Sequence, residues 1–482
     1  MTAYEKALAG RLFIGGQWRD ASSGANLAVD DPGNGEILAQ VADATAADGV
    51  SAIDAADAAA AEWAATPPRE RGEILRTSWE LLMAQRDDIA RLIAQESGKA
   101  HSEAQGEVDY GGEFLRWFSE EACRARGSLV TAPSGAYNII TKLQPIGISV
   151  LVTPWNFPLA MATRKIAPAL AVGCTTVVKP ASATPLTTYA MAQIFAEAGV
   201  PAGVVNVVTT ANSGEVIGAM LKDPRTRKLS FTGSTEVGQG LLRQASDNVL
   251  KCSMELGGNA PFVVAADADL ETALDSAMIA KFRNGGQSCV AANRFIVHTS
   301  RVDEFCEGFT KRIKELKVGY SLDEGTQLGA LISEKAVDGG LDLVADAKAR
   351  GATVLHGGER IDGKGWFLQP TLLRDVPRDA RCMTEEIFGP VAPVTTFESF
   401  DEAVELANDT PFGLVSFIQT SSMATGLEFA DRIESGMVGI NRGVVSDPAA
   451  PFGGMKQSGL GREGGHEGLL EYLETKYVAA SW

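Results

Sequence analysis

Between residues 147 and 256 the chain alternates apolar, β-branched runs (GISVLVTP, TTVVKP, VVNVVT, KLSFTG) with stretches of helix length. A run without polar alternation offers no face to water, so it forms a strand covered on both sides. Strands covered by their own connecting helices are parallel, in βαβ units. The segment is therefore expected to form a doubly wound α/β sheet of the dinucleotide-binding type. A second series of the same rhythm opens at Phe262: FVVA, a helix to Arg283, RFIVHT, a helix over 302–317, then PVAPVTTF, LVSFIQT and MVGIN. It predicts a second α/β unit, and 482 residues exceed what one hydrophobic core normally serves. Upstream, residues 11–42 read as short strands and turns. From Ala46 to about Arg126 the pattern is helical, with Ile74, Leu75, Leu81, Leu82, Ile89, Leu92 and Ile93 at three-to-four spacing.

Two pieces fit neither series. SGAYNIITKLQP near 134–145 alternates like an antiparallel strand, and the tail KYVAASW is a strand with no local partner. Free strand edges invite pairing. Both could be contacts between copies, or strands added to the chain's own sheets.

The net charge of -18 opposes binding to nucleic acid or an anionic membrane, and requires local cations wherever an anionic ligand binds. Six cysteines in so long a chain, with no C-x-x-C pair, read as free thiols of a reducing compartment. The four histidines, at 101, 298, 356 and 466, have no ligand spacing, so no metal site is expected. No signal peptide and no apolar stretch of about 20 residues is evident, which points to the cytoplasm.

In an open α/β sheet ligands gather beyond the carboxyl ends of the strands. Asn156, Lys179 (in VVKPAS) and Gly233 (in FTGSTEVG) all fall there. Ser234, at a predicted helix start, can offer a hydroxyl and an amide where anions are favoured. Each signal is ordinary alone, because most strand-end lysines are merely solvated and most Gly-Ser turns are merely turns. Most lone cysteines are buried spectators, as Cys306 is expected to be. Cys289, in FRNGGQSCVAANR, instead follows a flexible Gly-Gly turn among polar residues, a setting that suits a thiol meeting a substrate. Glu255, in MELGG, ends a buried strand, where a carboxylate is costly unless paired or functional.

Together, TPWNFP (153–158), KPAS (179–182), FTGSTEVG (231–238), MELGGNAP (254–261), GGQSCVAANR (285–294) and EEIFGP (385–390) resemble the aldehyde dehydrogenase superfamily, in order and in spacing. TRK at 163–165, KFRN at 281–284 and the stretch from NRGVVSD to PFGG at 441–454 most resemble its branch acting on succinate semialdehyde. The resemblance implies two doubly wound α/β domains and a small β oligomerisation element. The cofactor domain would span 1–125 and 146–256, the catalytic domain 257–445, and the oligomerisation element 126–145 and 463–482. It implies a dimer or tetramer, with the orphan strands as contacts. It further implies Cys289 as nucleophile, Glu255 as general base and Asn156 as oxyanion donor. Thr153, Pro154, Trp155, Asn156, Lys179, Ser182, Gly233, Ser234, Leu256, Glu386 and Phe388 would contact the cofactor. Arg164, Arg283 and Ser446 would hold the substrate's distal carboxylate. The ordinary fate of a helical arginine is instead an ion pair.

Relatives that prefer NAD carry Glu at the position of Ser182, which would repel a 2′-phosphate; the small neutral serine here predicts that NADP is accepted and preferred, with NAD as a second cofactor. Some members carry a second cysteine two residues after the nucleophile, forming a redox-switching disulfide; here that position is Ala291, so no such switch is expected. The competing readings are a dehydrogenase for glutarate semialdehyde or for a broad range of aldehydes, a CoA-acylating enzyme, which needs no hydrolytic base, and a non-catalytic protein of this fold.

Overall fold

In the computed structural model, which describes residues 2–482, the undivided apolar runs become strands with no solvent face. Every residue of Ile148–Val152, Thr176–Lys179 and Val205–Val207 is buried. They sit in an eight-stranded sheet ordered Gln17–Arg19, Leu12–Ile14, Val205–Val207, Thr176–Lys179, Ile148–Val152, Thr226–Thr232, Lys251–Glu255, Gly459–Leu460. The five middle strands are parallel, and the outer ones join antiparallel. The register sets Val152 opposite both Lys179 and Phe231, and Thr232 opposite Glu255. Four carboxyl ends therefore finish in one row.

The second series forms a seven-stranded sheet ordered Thr353–His356, Thr371–Arg374, Val391–Phe397, Ala292–His298, Ala260–Val264, Val415–Gln419, Met437–Ile440. All its pairs are parallel except the first. The two unpartnered segments join neither large sheet. Leu473–Ala480 pairs antiparallel with Asn138–Pro145 along its whole length, and Ser128–Thr131 adds to the other edge. Leu129, Val130 and Tyr477 of this three-stranded sheet are exposed.

Helices press the sheet ends together. Ala160–Val172 is buried at every position, Arg164 and Lys165 included. Its first turn has no side-chain cap of its own. Instead the Glu107 carboxylate, from the neighbouring His101–Glu121 helix, accepts the Leu159 and Ala160 amides at 2.9 and 3.3 Å. That meets the unpaired N–H groups of a buried helix start. The helix expected to run to Arg283 stops at Phe282, because Asn284, Gly285 and Gly286 take φ of 54°, 63° and 74°. Among the described residues no helix is long and apolar enough to cross a membrane.

Candidate active site

The row of strand ends leaves polar groups unspent. Thr153 and Thr232, side by side, have buried hydroxyls without hydrogen-bond partners. Lys179 is 6% exposed and forms no ion pair among the described residues; burial pushes its ammonium down to about 8. Ser234 caps the Thr235–Ala245 helix by accepting the Val237 amide at 3.4 Å. A helix start beside a lysine is a place for an anion.

Asn156 follows on a turn held from below. Its carbonyl accepts the Lys99 ammonium at 2.7 Å and the Asn284 amide at 2.9 Å. Lys99 is itself ion-paired with Glu107, both fully buried. The Asn156 side chain donates to the Gln287 carbonyl at 3.0 Å. Only an N–H can meet a carbonyl, so the amide's orientation is fixed and its second N–H is free to donate.

Cys289 lies three residues beyond the left-handed turn. A Cβ on Gly286 would come within 2.2 Å of the Gly389 carbonyl, and its φ of +74° also excludes most side chains. This turn carries the chain from the end of the Leu270–Phe282 helix back to the cleft. Burial pushes the Cys289 thiol up to about 12, with Arg164 pulling it down and Glu255 and Glu386 pushing it further up. It therefore rests as a neutral thiol.

Glu255 is 2% exposed, and neither of its oxygens has a hydrogen-bond partner. Burial and the neighbouring charge of Glu463 hold it well above the usual carboxylate range, against the pull of Arg164, Lys165 and Arg462. Glu386 accepts the Gly258 amide at 3.0 Å, and burial pushes it up to about 7.

Of these groups Asn156, Thr232, Ser234, Cys289 and Glu386 line a cleft of about 850 Å³. One wall carries Trp155 and Phe388, edge to face at 5.4 Å, with Gly233, Ser234, Leu256 and Glu386 beside them. Asn156 and Cys289 lie between, and Arg164, Arg283 and Ser446 line the far side. Arg164 is already engaged: its Nε is 2.6 Å from a Glu463 oxygen, and its guanidinium stacks 4.1 Å from the Phe452 ring. Arg283 has no carboxylate partner among the described residues; its guanidinium lies 5.0 Å from the Phe157 ring. It is also the first residue after its helix, not a member of it.

A half-buried thiol, a buried carboxylate beside it, a fixed amide N–H and a cationic far wall are the parts of an acyl-transfer site. The profile of the aldehyde dehydrogenase family matches residues 18–478. The chain belongs to this family. A succinate-semialdehyde dehydrogenase of Paenarthrobacter nicotinovorans is 52% identical over 92% of this chain and 98% of its own. A glutarate-semialdehyde dehydrogenase of Pseudomonas putida is 45% identical over 98% of both chains. Among solved structures, an NADP-dependent enzyme of E. coli superposes with a TM-score of 0.98 at 44% identity, over 99% of each chain.

Of the site residues expected in this aldehyde dehydrogenase from its sequence, Thr153, Lys179, Ser182 and Glu255 do not line the cleft. Thr153, Lys179 and Ser182 sit on the same row of strand ends or the turn after it, and Glu255 ends its strand one residue before Leu256, which does line the cleft. Sequence reasoning missed Lys99, Glu107, Gln287 and Glu463. Only Glu463 left a signal, and a negative one: Arg164 and Lys165 stand in an otherwise apolar helix, AMATRKIAPALAV, and so demand a buried acid from elsewhere.

Among the described residues no group of three or more His, Cys, Asp and Glu side chains is placed to hold a metal ion.

Proposed function

We propose that this aldehyde dehydrogenase oxidises an acid semialdehyde, succinate semialdehyde above all, to the dicarboxylate, with NADP preferred and NAD as a second cofactor. The observation that carries this reading is the cleft itself, where Cys289 faces a far wall bearing Arg164, Arg283 and Ser446. Glu463 already meets Arg164, but Arg283 forms no ion pair among the described residues, and on a protein of charge -18 a free guanidinium in the cleft calls for an anionic ligand. Guanidinium grips carboxylate in a bidentate fork.

The nicotinamide cofactor fits the row of strand ends: the orphaned Thr153 and Thr232 hydroxyls, the unpaired Lys179 and the Ser234 helix start are polar groups awaiting a ligand. Lys179 and Ser182 would take the adenosine ribose and its phosphate; Pro154, Trp155, Gly233, Leu256 and Phe388 would pack the rest, and Glu386 would hold the nicotinamide ribose. When bound, the cofactor accepts the hydride that leaves the aldehyde carbon. Cys289 gives its proton to solvent water, and its sulfur adds to that carbon as the carbonyl π pair moves onto oxygen. The second N–H of Asn156 and the Cys289 backbone N–H receive the oxyanion, a donor typically being worth about 3 kcal/mol. After hydride departure the acyl group remains on sulfur as a thioester. Glu255, buried just outside the lining, must then turn into the cleft and remove a proton from water, which attacks the thioester. Its raised proton affinity makes it a strong base once ionised. The presence of such a base argues against CoA acylation.

The two large sheets support a cofactor domain (1–125, 146–256) and a catalytic domain (257–445). The exposed apolar three-stranded sheet supports an oligomerisation element built from 126–145 and 463–482, hence a dimer or tetramer. Six unpaired cysteines support work in the cytoplasm.

The test is a kcat/KM panel of succinate semialdehyde, glutarate semialdehyde and butanal with each cofactor. The acid semialdehydes are expected to exceed butanal by at least tenfold, and butanal matching them would overturn the reading. Glutarate semialdehyde is the second reading, kept by the 45% identity to the Pseudomonas putida enzyme.

A further inference from the structure

The His101–Glu121 helix brings a group to the far wall that no sequence motif marks. At Gly111 it approaches the start of the Ala160–Val172 helix so closely that a Cβ would meet Leu159 Cγ at 2.9 Å and Ala160 N at 3.2 Å. That approach sets the adjacent Tyr110 into the cleft. The phenol ring is clamped from two sides, by Phe114 edge to face at 5.1 Å and by the Arg283 guanidinium at 5.9 Å. Its hydroxyl end faces Arg164 and Ser446: burial pushes the phenol up, while the two arginine charges and polar contacts with Arg164 and Ser446 pull it down.

We propose that Tyr110 is a specificity-determining residue, whose hydroxyl donates a hydrogen bond to the distal carboxylate of the substrate between Arg164 and Arg283. The inference rests on the acid-semialdehyde reading above. Its logic is the donor inventory. Guanidinium groups only donate, so beside them the Tyr110 oxygen accepts, and its own proton has only the neutral Ser446 hydroxyl to go to. An incoming carboxylate only accepts, and takes that proton at the point where two cations already hold it. An uncharged aldehyde offers no such acceptor there. The clamp also matters, because a ring fixed by Phe114 and Arg283 loses little further freedom when the substrate binds.

Tyr110→Phe removes the proton donor and keeps the ring. A hydrogen bond to a charged group is typically worth enough for a loss of about 10- to 100-fold. The ratio of kcat/KM for succinate semialdehyde to that for butanal is expected to fall by that factor, with the change in KM rather than kcat. Competitive inhibition by succinate, which needs no chemistry, should weaken in parallel. A Tyr110→Phe enzyme with wild-type ratio and wild-type succinate inhibition would overturn the proposal. Arg283→Ala, measured alongside, separates the two levels: if it collapses the ratio while Tyr110→Phe does not, the acid-semialdehyde reading stands and the role of Tyr110 falls. If neither moves the ratio, both fall. Tyr110→Phe showing equal losses on both aldehydes would mark the residue as a support for the pocket wall, and also overturns the proposal.

Discussion

Removing Arg283 and removing Arg164 should have different consequences, though the sequence presents them as a matched pair. Among the described residues Arg283 forms no ion pair and packs on Tyr110 and Phe157, with Glu103 near enough to feel its charge but bound to the Asn284 amide, so its guanidinium is available to the substrate. Arg283→Ala should cost about 2–4 kcal/mol of binding to a carboxylate, within the range for close charge pairs. At about 1.4 kcal/mol per decade this is roughly a 30- to 1,000-fold loss in kcat/KM with succinate semialdehyde. Butanal should change by less than about threefold, since no charge pair is involved. Arg164 is fully buried against Glu463 and shares it with Lys165. Arg164→Ala leaves that carboxylate short of one cation, a change that typically destabilises by about 3–5 kcal/mol. It also removes a charge that pulls both Cys289 and Glu255 down, so the thiol and the base both become harder to ionise. Losses should then appear on butanal as well as on the acid, together with a lower melting temperature. The assay is initial-rate NADPH formation on both aldehydes, with a thermal melt of each variant. Equal losses on both substrates for Arg283→Ala, or a purely acid-selective loss for Arg164→Ala, would refute the reasoning.

Cys289→Ala should abolish turnover, whereas Glu255→Gln should let the thioester accumulate, visible as the acyl mass increment on the intact protein; no increment would count against Glu255 as the hydrolytic base. Ser182→Glu should swing preference from NADP towards NAD, read as the ratio of the two kcat/KM values, and a wild type that uses only NAD would defeat the cofactor assignment. Because the folded-state pKa of Cys289 is raised to about 12, its thiolate appears only as pH climbs. Alkylation of Cys289 by iodoacetamide without cofactor should therefore rise about tenfold per pH unit from 7 to 10; a plateau near 9 would contradict a buried thiol.

The core strands were legible because burial on both faces leaves a direct compositional trace, as in GISVLVTP and TTVVKP. The Leu473–Ala480 strand was legible as a strand, but its partner, Asn138–Pro145, lies more than 300 residues away, beyond any local pattern. Arg283 was placed on a helix because periodicity cannot register three successive left-handed residues; only Gly285 and Gly286 announce them, and Asn284 does not. The residues proposed as nucleophile, base and oxyanion donor were picked out by motif order alone. The supports were not. Lys99, Glu103 and Glu107, spaced four residues apart, look like a solvated helix face. In the structure Lys99 and Glu107 are buried behind Asn156, and Glu103 accepts the Asn284 amide at 2.6 Å. Whether a charged face meets water or another helix is a tertiary fact.

The resting state of Cys289 bears on damage as well as on catalysis. Peroxides attack thiolates, and burial, which pushes the Cys289 thiol up, makes its thiolate scarce at neutral pH. The neighbouring position that could trap a sulfenic acid as a reversible disulfide is Ala291, which is buried and carries no sulfur. This chain cannot rescue an oxidised nucleophile through that neighbour. Its protection lies instead in burial, which keeps Cys289 in the protonated form that peroxides attack slowly.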